Sequence, residues 1–183
     1  GAPLLRTLKN PRAFPGADLP ALVGQELIID TRPGEEYAAH HLPGTLHIPS
    51  TSRSFSTYVG WYVDYDRPTY LITPKEDLPR LLSELRAIGV DNIPGYFPPA
   101  AVEGAAGRMR QITPKEVAQL QNIIILDVRG GDEHKASHIP GSWHVHMGRI
   151  EDYLHDLPQD RPIITQCSSG VRSQITASIL QNH

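Results

Sequence analysis

The chain has 183 residues, 39% hydrophobic and 20% charged, with a net charge of −3, which excludes a disordered chain and allows one domain or two small ones at about 100–200 residues each. The mild acidity argues against nucleic acid as the main partner, no run approaches the roughly 20 apolar residues of a membrane span, and the opening residues do not read as a signal peptide. The single cysteine, Cys167, rules out an internal disulfide or a multi-cysteine zinc site and leaves a free thiol, as expected of a reducing, cytoplasmic compartment.

In chain order, the first recognisable unit covers about residues 20–100. It carries Leu27-Ile28-Ile29-Asp30-Thr31-Arg32, then Glu36-Tyr37, then His41-Leu42-Pro43-Gly44. Asp66-Arg67-Pro68 precedes a second apolar run, a helix is predicted near 77–88, and Asp91–Phe97 reads as a last strand. Residues 98–110, with Pro-Pro and Gly-Ala-Ala-Gly, read as a linker. Thr113-Pro114-Lys115-Glu116 is a capping box with proline at the first helical position, which predicts a helix over 114–121. Ile123–Val128 is a short β-branched run and predicts a buried strand, Gly130-Gly131 a turn, and 132–137 a short helix. His138-Ile139-Pro140-Gly141 is a further turn, Trp143–Met147 a strand, and Ile150–Leu157 is apolar at helical spacing. Pro162–Gln166 predicts another buried strand, and Ser173–Gln181 a helix with Ile175, Ile179 and Leu180 on one face.

The two halves repeat. Asp30 and His41 recur as Asp127 and His138 at an offset of 97, and Asp66-Arg67-Pro68 recurs as Asp160-Arg161-Pro162 at 94. Strands alternating with helices predict an α/β fold of two domains, 1–103 with an N-terminal extension and 104–183, each a mainly parallel sheet flanked by helices. By the 94 offset the last strand of the second copy would begin near 185, so the second domain is expected to lack it.

Cys167 follows a predicted strand and precedes a helix, where ligands bind in parallel α/β sheets. The loop Cys167-Ser168-Ser169-Gly170-Val171-Arg172-Ser173 is built of small residues, so successive N–H groups can point inward as an anion nest. The helix dipole and the forked guanidinium of Arg172 favour an anion at the same place. Together they predict a lowered thiol pKa and a Cys167 nucleophile. The opposing reading is a buried, inert cysteine. Ser168, Ser169, Gly170, Val171, Arg172 and Ser173 are the candidate substrate-binding residues.

Asp127-Val128-Arg129, His138-Ile139-Pro140-Gly141 and the Cys167–Arg172 loop together resemble the rhodanese (thiosulfate sulfurtransferase) domain, twice over nearly the whole chain. The resemblance implies ping-pong sulfur transfer through a cysteine persulfide, with small sulfur donors and thiol acceptors as partners. Relatives acting on phosphate or arsenate carry Cys-x5-Arg, whereas this loop is Cys-x4-Arg, which disfavours a Cys-dependent phosphatase or arsenate reductase. In the first copy Thr73 stands at the cysteine position, Glu76 at Gly170 and Leu78 at Arg172. Ile72–Glu76 repeats the pentapeptide Ile112–Glu116, so a self-capped helix start is expected to replace the cradle and leave this copy inactive. An inactive copy before an active one resembles the tail of fusions between a metallo-β-lactamase-fold domain and two rhodanese units, similar to persulfide dioxygenases. Gly1-Ala2-Pro3-Leu4-Leu5-Arg6 is similar to the stretch after that metal domain. That resemblance places any iron upstream and implies no metal or cofactor in this chain. A homo-oligomer or an upstream catalytic domain stays open as partner.

Asp127, Arg129 and His138 are expected to brace the site rather than touch substrate, Glu133 to pair locally, and Trp61, Trp143, Tyr58, Tyr62 and Tyr65 to pack. The competing function is a non-catalytic binding or regulatory tail.

Overall fold

A computed structural model describes residues 8–183. Gly1–Arg6, which carry the resemblance to the linker after a metal domain, lie outside the described residues. The chain divides into two compact units, Gly1–Arg108 and Met109–His183. Residues 104–108 stay with the first unit, beyond the expected boundary at 103, because Gly107 and His41 exchange N–H···O bonds of 2.9 and 3.1 Å in an isolated antiparallel bridge.

The first unit holds β1 (Arg12–Ala13), α1 (Leu19–Leu22), β2 (Leu27–Asp30), α2 (Gly34–Ala39), β3 (Leu46–His47), α3 (Phe55–Tyr62), β4 (Thr69–Ile72), α4 (Leu78–Ala87) and β5 (Gly95–Phe97). Its sheet has the order β1-β5-β4-β2-β3, every pair parallel. The strands β2 and β4 are short apolar runs covered on both faces, as central parallel strands must be. Leu78, Leu81, Leu82 and Leu85 recur at helical spacing along α4, and all four are buried. Ile28, Ile72 and Phe97 from the sheet meet Leu19 and Val102 in the core.

The second unit holds α5 (Pro114–Val117), β6 (Ile124–Asp127), α6 (Gly131–Ala136), β7 (Trp143–His144), a 3₁₀ segment over Met147–Asp156, β8 (Ile163–Gln166) and α7 (Val171–Gln181). Its sheet is β7-β6-β8, again parallel, with Ile124–Asp127 in register with Ile163–Gln166. The α/β class with two parallel sheets therefore stands.

Several elements differ from expectation. The helix expected over 114–121 stops after Val117. Its capping box forms, with Glu116 N donating to Thr113 Oγ1 at 3.3 Å and Thr113 N to Glu116 Oε2 at 2.7 Å. No residue of this helix is buried, and without a packed face a cap sustains little more than one turn. Trp143–Met147 pairs only at its first two residues, after which the chain enters the 3₁₀ segment that replaces the helix expected at 150–157. Strand β8 is half-buried rather than buried, since β6 flanks it on one side and no described strand pairs its other edge. In the first unit β5 occupies that edge of β4.

Ile175 and Ile179 of α7 are buried, with Thr176 and Ser178 beside them. The Ile175→Ala variant is expected to lose about 2–5 kcal/mol. This is read from the urea midpoint of the second unit in a Trp61→Phe background, where Trp143 alone reports.

Candidate active site

Cys167 stands directly after β8, at the carboxyl end of the parallel sheet. The chain must then curl within three residues to start α7, and it does so through Gly170, whose φ of +92° lies in the left-handed region that favours glycine. The curl turns backbone donors onto the sulfur. Gly170 N donates to Cys167 Sγ at 3.1 Å and Ser173 N at 3.4 Å, and the Ser169 amide contributes as well. The Ser173 hydroxyl lies 3.5 Å from the sulfur and 2.9 Å from Gly170 O. Thr165 Oγ1 donates to Ser173 O at 2.9 Å, which ties the first turn of α7 back to β8.

Burial pushes the Cys167 thiol up, but the Ser173 side chain and the Ser173, Ser169 and Gly170 amides outweigh it, and the net direction is down from the ordinary thiol value. The site thus favours a thiolate at a half-buried position.

Arg172, read from the sequence as a substrate-binding residue, forms an ion pair with Glu133. Its NH1 and NH2 donate to Glu133 Oε2 and Oε1 at 2.5 and 2.8 Å, and NH2 also donates to Ser168 Oγ at 2.8 Å. Glu133, expected to pair locally, thus reaches a residue 39 positions away. It also accepts from Gly130 N at 3.1 Å, so the carboxylate is pinned at the start of α6. The Arg172 bond, then that of Gly130, holds Glu133 down at about 2. Ser168, Ser169 and Gly170 are exposed, and Val171 is half-buried at the start of α7.

Asp127, buried at the end of β6, forms the second polar cluster. It accepts from Arg129 N at 3.1 Å, from Arg129 Nε at 2.9 and 3.1 Å, and from NH2 at 2.6 Å. His134 Nδ1 lies 2.9 Å from Asp127 Oδ2. Burial pushes the Asp127 carboxyl up, yet the Arg129 and His134 hydrogen bonds win and hold it well below the usual carboxylate range. Arg129 NH2 also donates to Ser137 O at 2.7 Å. The His134 ring stacks on His138 at 4.1 Å and on His144 at 4.3 Å between centroids.

The first unit contains the same brace. Arg32 binds Asp30 with a closest approach of 2.7 Å and donates to His40 O at 2.9 Å. Tyr37 takes the place of His134 and stacks on His41 at 4.1 Å and on His47 at 4.4 Å. Burial pushes the His47 imidazole down to about 4. Thr73 occupies the strand end and is fully buried, with its amide bound to Phe97 O at 2.9 Å. The capping box expected at Thr73–Glu76 does not form: Thr73 Oγ1 donates to Pro74 O at 3.3 Å. Helix α4 begins only at Leu78, after Asp77, whose carboxylate accepts from Ser50 Oγ at 3.3 Å.

The family described as the Rhodanese-like domain matches residues 113–183. The thiosulfate sulfurtransferase GlpE of Pseudomonas syringae pv. syringae is 30% identical over 73 residues, covering 39% of this chain and 69% of that protein. The chain belongs to the rhodanese-like family. GlpE of Coxiella burnetii is 29% identical over 65 residues, 36% of this chain, and the match spans 61% of that relative's length. The tRNA sulfurtransferase of Desulfurococcus amylolyticus is 28% identical over 120 residues, 62% of this chain and 24% of that protein. The rhodanese-like match covers the unit that carries Cys167.

Trp143 and Trp61, expected to pack, are 44% and 39% exposed. Among the described residues no group of three or more His, Cys, Asp and Glu side chains is disposed to hold a metal ion, and no helix is long and apolar enough to cross a membrane. Sequence reasoning missed the Glu133–Arg172 pair and the histidine stack. The stack had a signal, since His134, His138 and His144 take the places of Tyr37, His41 and His47 at the 97 offset.

The rate of Cys167 alkylation by iodoacetamide is expected to rise through a midpoint below the roughly 8.5 of a free thiol, and Ser173→Ala should move that midpoint upward. The folded Asp127 carboxyl titrates below its unfolded value of about 3.9. Its stabilisation is therefore fully present above that value and is lost as pH falls through the lower folded value. Asp127→Asn should cost about 3 kcal/mol at pH 7, and the gap from wild type in chemical unfolding should narrow on acidification below about pH 4.

Proposed function

We propose that the second unit is a sulfurtransferase in which Cys167 carries sulfane sulfur as a persulfide. The observation that carries this reading is the ring of amide donors closing on Cys167 Sγ, at 3.1 Å from Gly170 and 3.4 Å from Ser173. Such a nest favours a sulfur anion before and after transfer, because its dipoles are fixed and need no rearrangement as charge moves by one sulfur–sulfur bond. With thiosulfate as donor, the Cys167 thiolate attacks the outer sulfur. The new Sγ–S bond forms, the S–S bond of the donor breaks, and sulfite leaves with the electron pair. In the second half a nucleophile such as cyanide or a thiolate takes the outer sulfur and the thiolate returns. The lowered thiol pKa favours the thiolate that this attack uses. Cys167 is the one cysteine among these 183 residues, so the sulfur passes to an acceptor outside them, an external thiol or another subunit.

The first unit is read as an inactive rhodanese-like copy. Its Asp30–Arg32 brace is intact, but Thr73 supplies a poor nucleophile that is buried and donates to the Pro74 carbonyl.

Thiosulfate treatment followed by mass spectrometry is expected to show one added sulfur on Cys167 in the wild type and none in Cys167→Ser. The same variant should lose thiosulfate:cyanide turnover by at least about a thousandfold. Retained turnover in the variant, or hydrolysis of an aryl phosphate by the wild type without any sulfur adduct, would overturn the assignment.

A further inference from the structure

We propose that Glu133 is a specificity-determining residue that selects the sulfur donor by charge, so that the site takes a hydropersulfide, R–S–SH, in preference to dianionic thiosulfate. This rests on the sulfurtransferase reading above. Arg172 is the only cation within the loop from Cys167 to Ser173, and its fork is closed on Glu133 by two bonds of 2.5 and 2.8 Å. The carboxylate cannot readily swing away, because Gly130 N holds Oε2 at 3.1 Å. The neighbouring charges are balanced in the same manner. Asp127 takes up Arg129 at 2.6 Å and lies 2.9 Å from His134. His146 is pushed toward its neutral form by burial and by Arg172. The groups that reach Sγ itself are the loop amides and the Ser173 side chain, which carry partial charge only.

A site of this kind discriminates by charge. Attack of the thiolate on thiosulfate gathers three negative charges in the transition state, and attack on a neutral hydropersulfide gathers one. In the latter, the Sγ–S bond forms at the terminal sulfur and the donor S–S bond breaks. R–S⁻ departs with the electron pair, and the proton stays on the transferred sulfur. A guanidinium committed to Glu133 cannot offset the extra charge of thiosulfate, whereas removing the carboxylate charge would release that cation to the substrate.

The test is the second-order rate constant for sulfur loading of Cys167, read by quenched-flow mass spectrometry with thiosulfate and with a small alkyl hydropersulfide, in the absence of an acceptor. Glu133→Gln keeps a group that can accept from Gly130 but removes the charge. It is expected to raise the thiosulfate-to-hydropersulfide ratio about tenfold, the scale of one unit charge acting a few ångströms away in a partly solvated site. Arg172→Gln should lower the ratio by a similar factor, since it leaves Glu133 unneutralised, and the double variant should return to the wild-type ratio. Should Glu133→Gln not fold, Arg172→Gln reads the same quantity with opposite sign. A merely structural role would slow both donors alike, so ratios within about twofold of wild type in the soluble single variants would overturn the inference alone. Failure of both donors to load wild-type Cys167 would instead overturn the sulfurtransferase reading.

Discussion

Burial and hydrogen bonding pull the Cys167 sulfur in opposite directions, and the second unit is arranged so that hydrogen bonding wins. A thiolate in a half-buried position would be disfavoured by desolvation alone. The backbone answers by reversing at Gly170, where φ is +92°, so that the Gly170 and Ser173 amides face the sulfur at 3.1 and 3.4 Å. A side chain at Gly170 would meet no neighbour within 4 Å, so the requirement for glycine there is one of backbone conformation and not of space. The same reversal starts α7, which cannot drift because Ile175 and Ile179 are buried and Thr165 Oγ1 holds Ser173 O at 2.9 Å. Core packing therefore fixes the direction of the donors, and the donors lower the pKa of the thiol.

The buried carboxylate at the end of the neighbouring strand has a different task. Asp127 and Asp30 each bind an arginine two residues on, and that arginine binds the carbonyl of Ser137 or His40. The arginine thus joins the strand end to the residue that closes the next helix. The arrangement is the same in the unit with a cysteine and in the unit with Thr73, so the brace belongs to the fold and does not depend on the cysteine. The unit-specific part is the ring beside it. Tyr37 in one and His134 in the other stack between two histidines; His134 lies 2.9 Å from the aspartate and the Tyr37 hydroxyl donates to Thr45 O at 3.2 Å.

What could be read from the sequence was what is local or repeated. The strand before Cys167, the small-residue loop and the apolar face of α7 each span a few consecutive residues, and the 97 offset carried the turn motifs from one half to the other. Glu133–Arg172 was not legible, because the two residues are 39 apart and each had a local reading, one pairing nearby and one facing an anion. Propensity alone also overran the structure. The Thr-Pro-Lys-Glu tetrad caps a helix at Thr113, but at Thr73 the first residue is claimed by β5 through Phe97 O at 2.9 Å, and the helix waits until Leu78. Identical local sequence gave different structure because a neighbouring strand reached one copy of the threonine.

Pairing with Glu133 shapes what the loop arginine contributes. A free guanidinium beside the thiolate would lower the thiol pKa by direct Coulomb attraction and would favour any anion that entered. A guanidinium already bound to a carboxylate contributes chiefly geometry. It spans Glu133 at the start of α6 and Ser168 in the loop, at 2.8 Å each through NH2, and so holds the first half of the loop against α6 while Thr165 and Ser173 hold the second half against β8. The thiolate is favoured by short-range, directional amides that touch the sulfur itself. Short-range donors act on the atom they touch and little on the rest of a ligand, and salt screens them less than it screens a surface charge. A cradle of this kind can stabilise sulfur on the cysteine while leaving the remainder of the donor to be judged on its own charge.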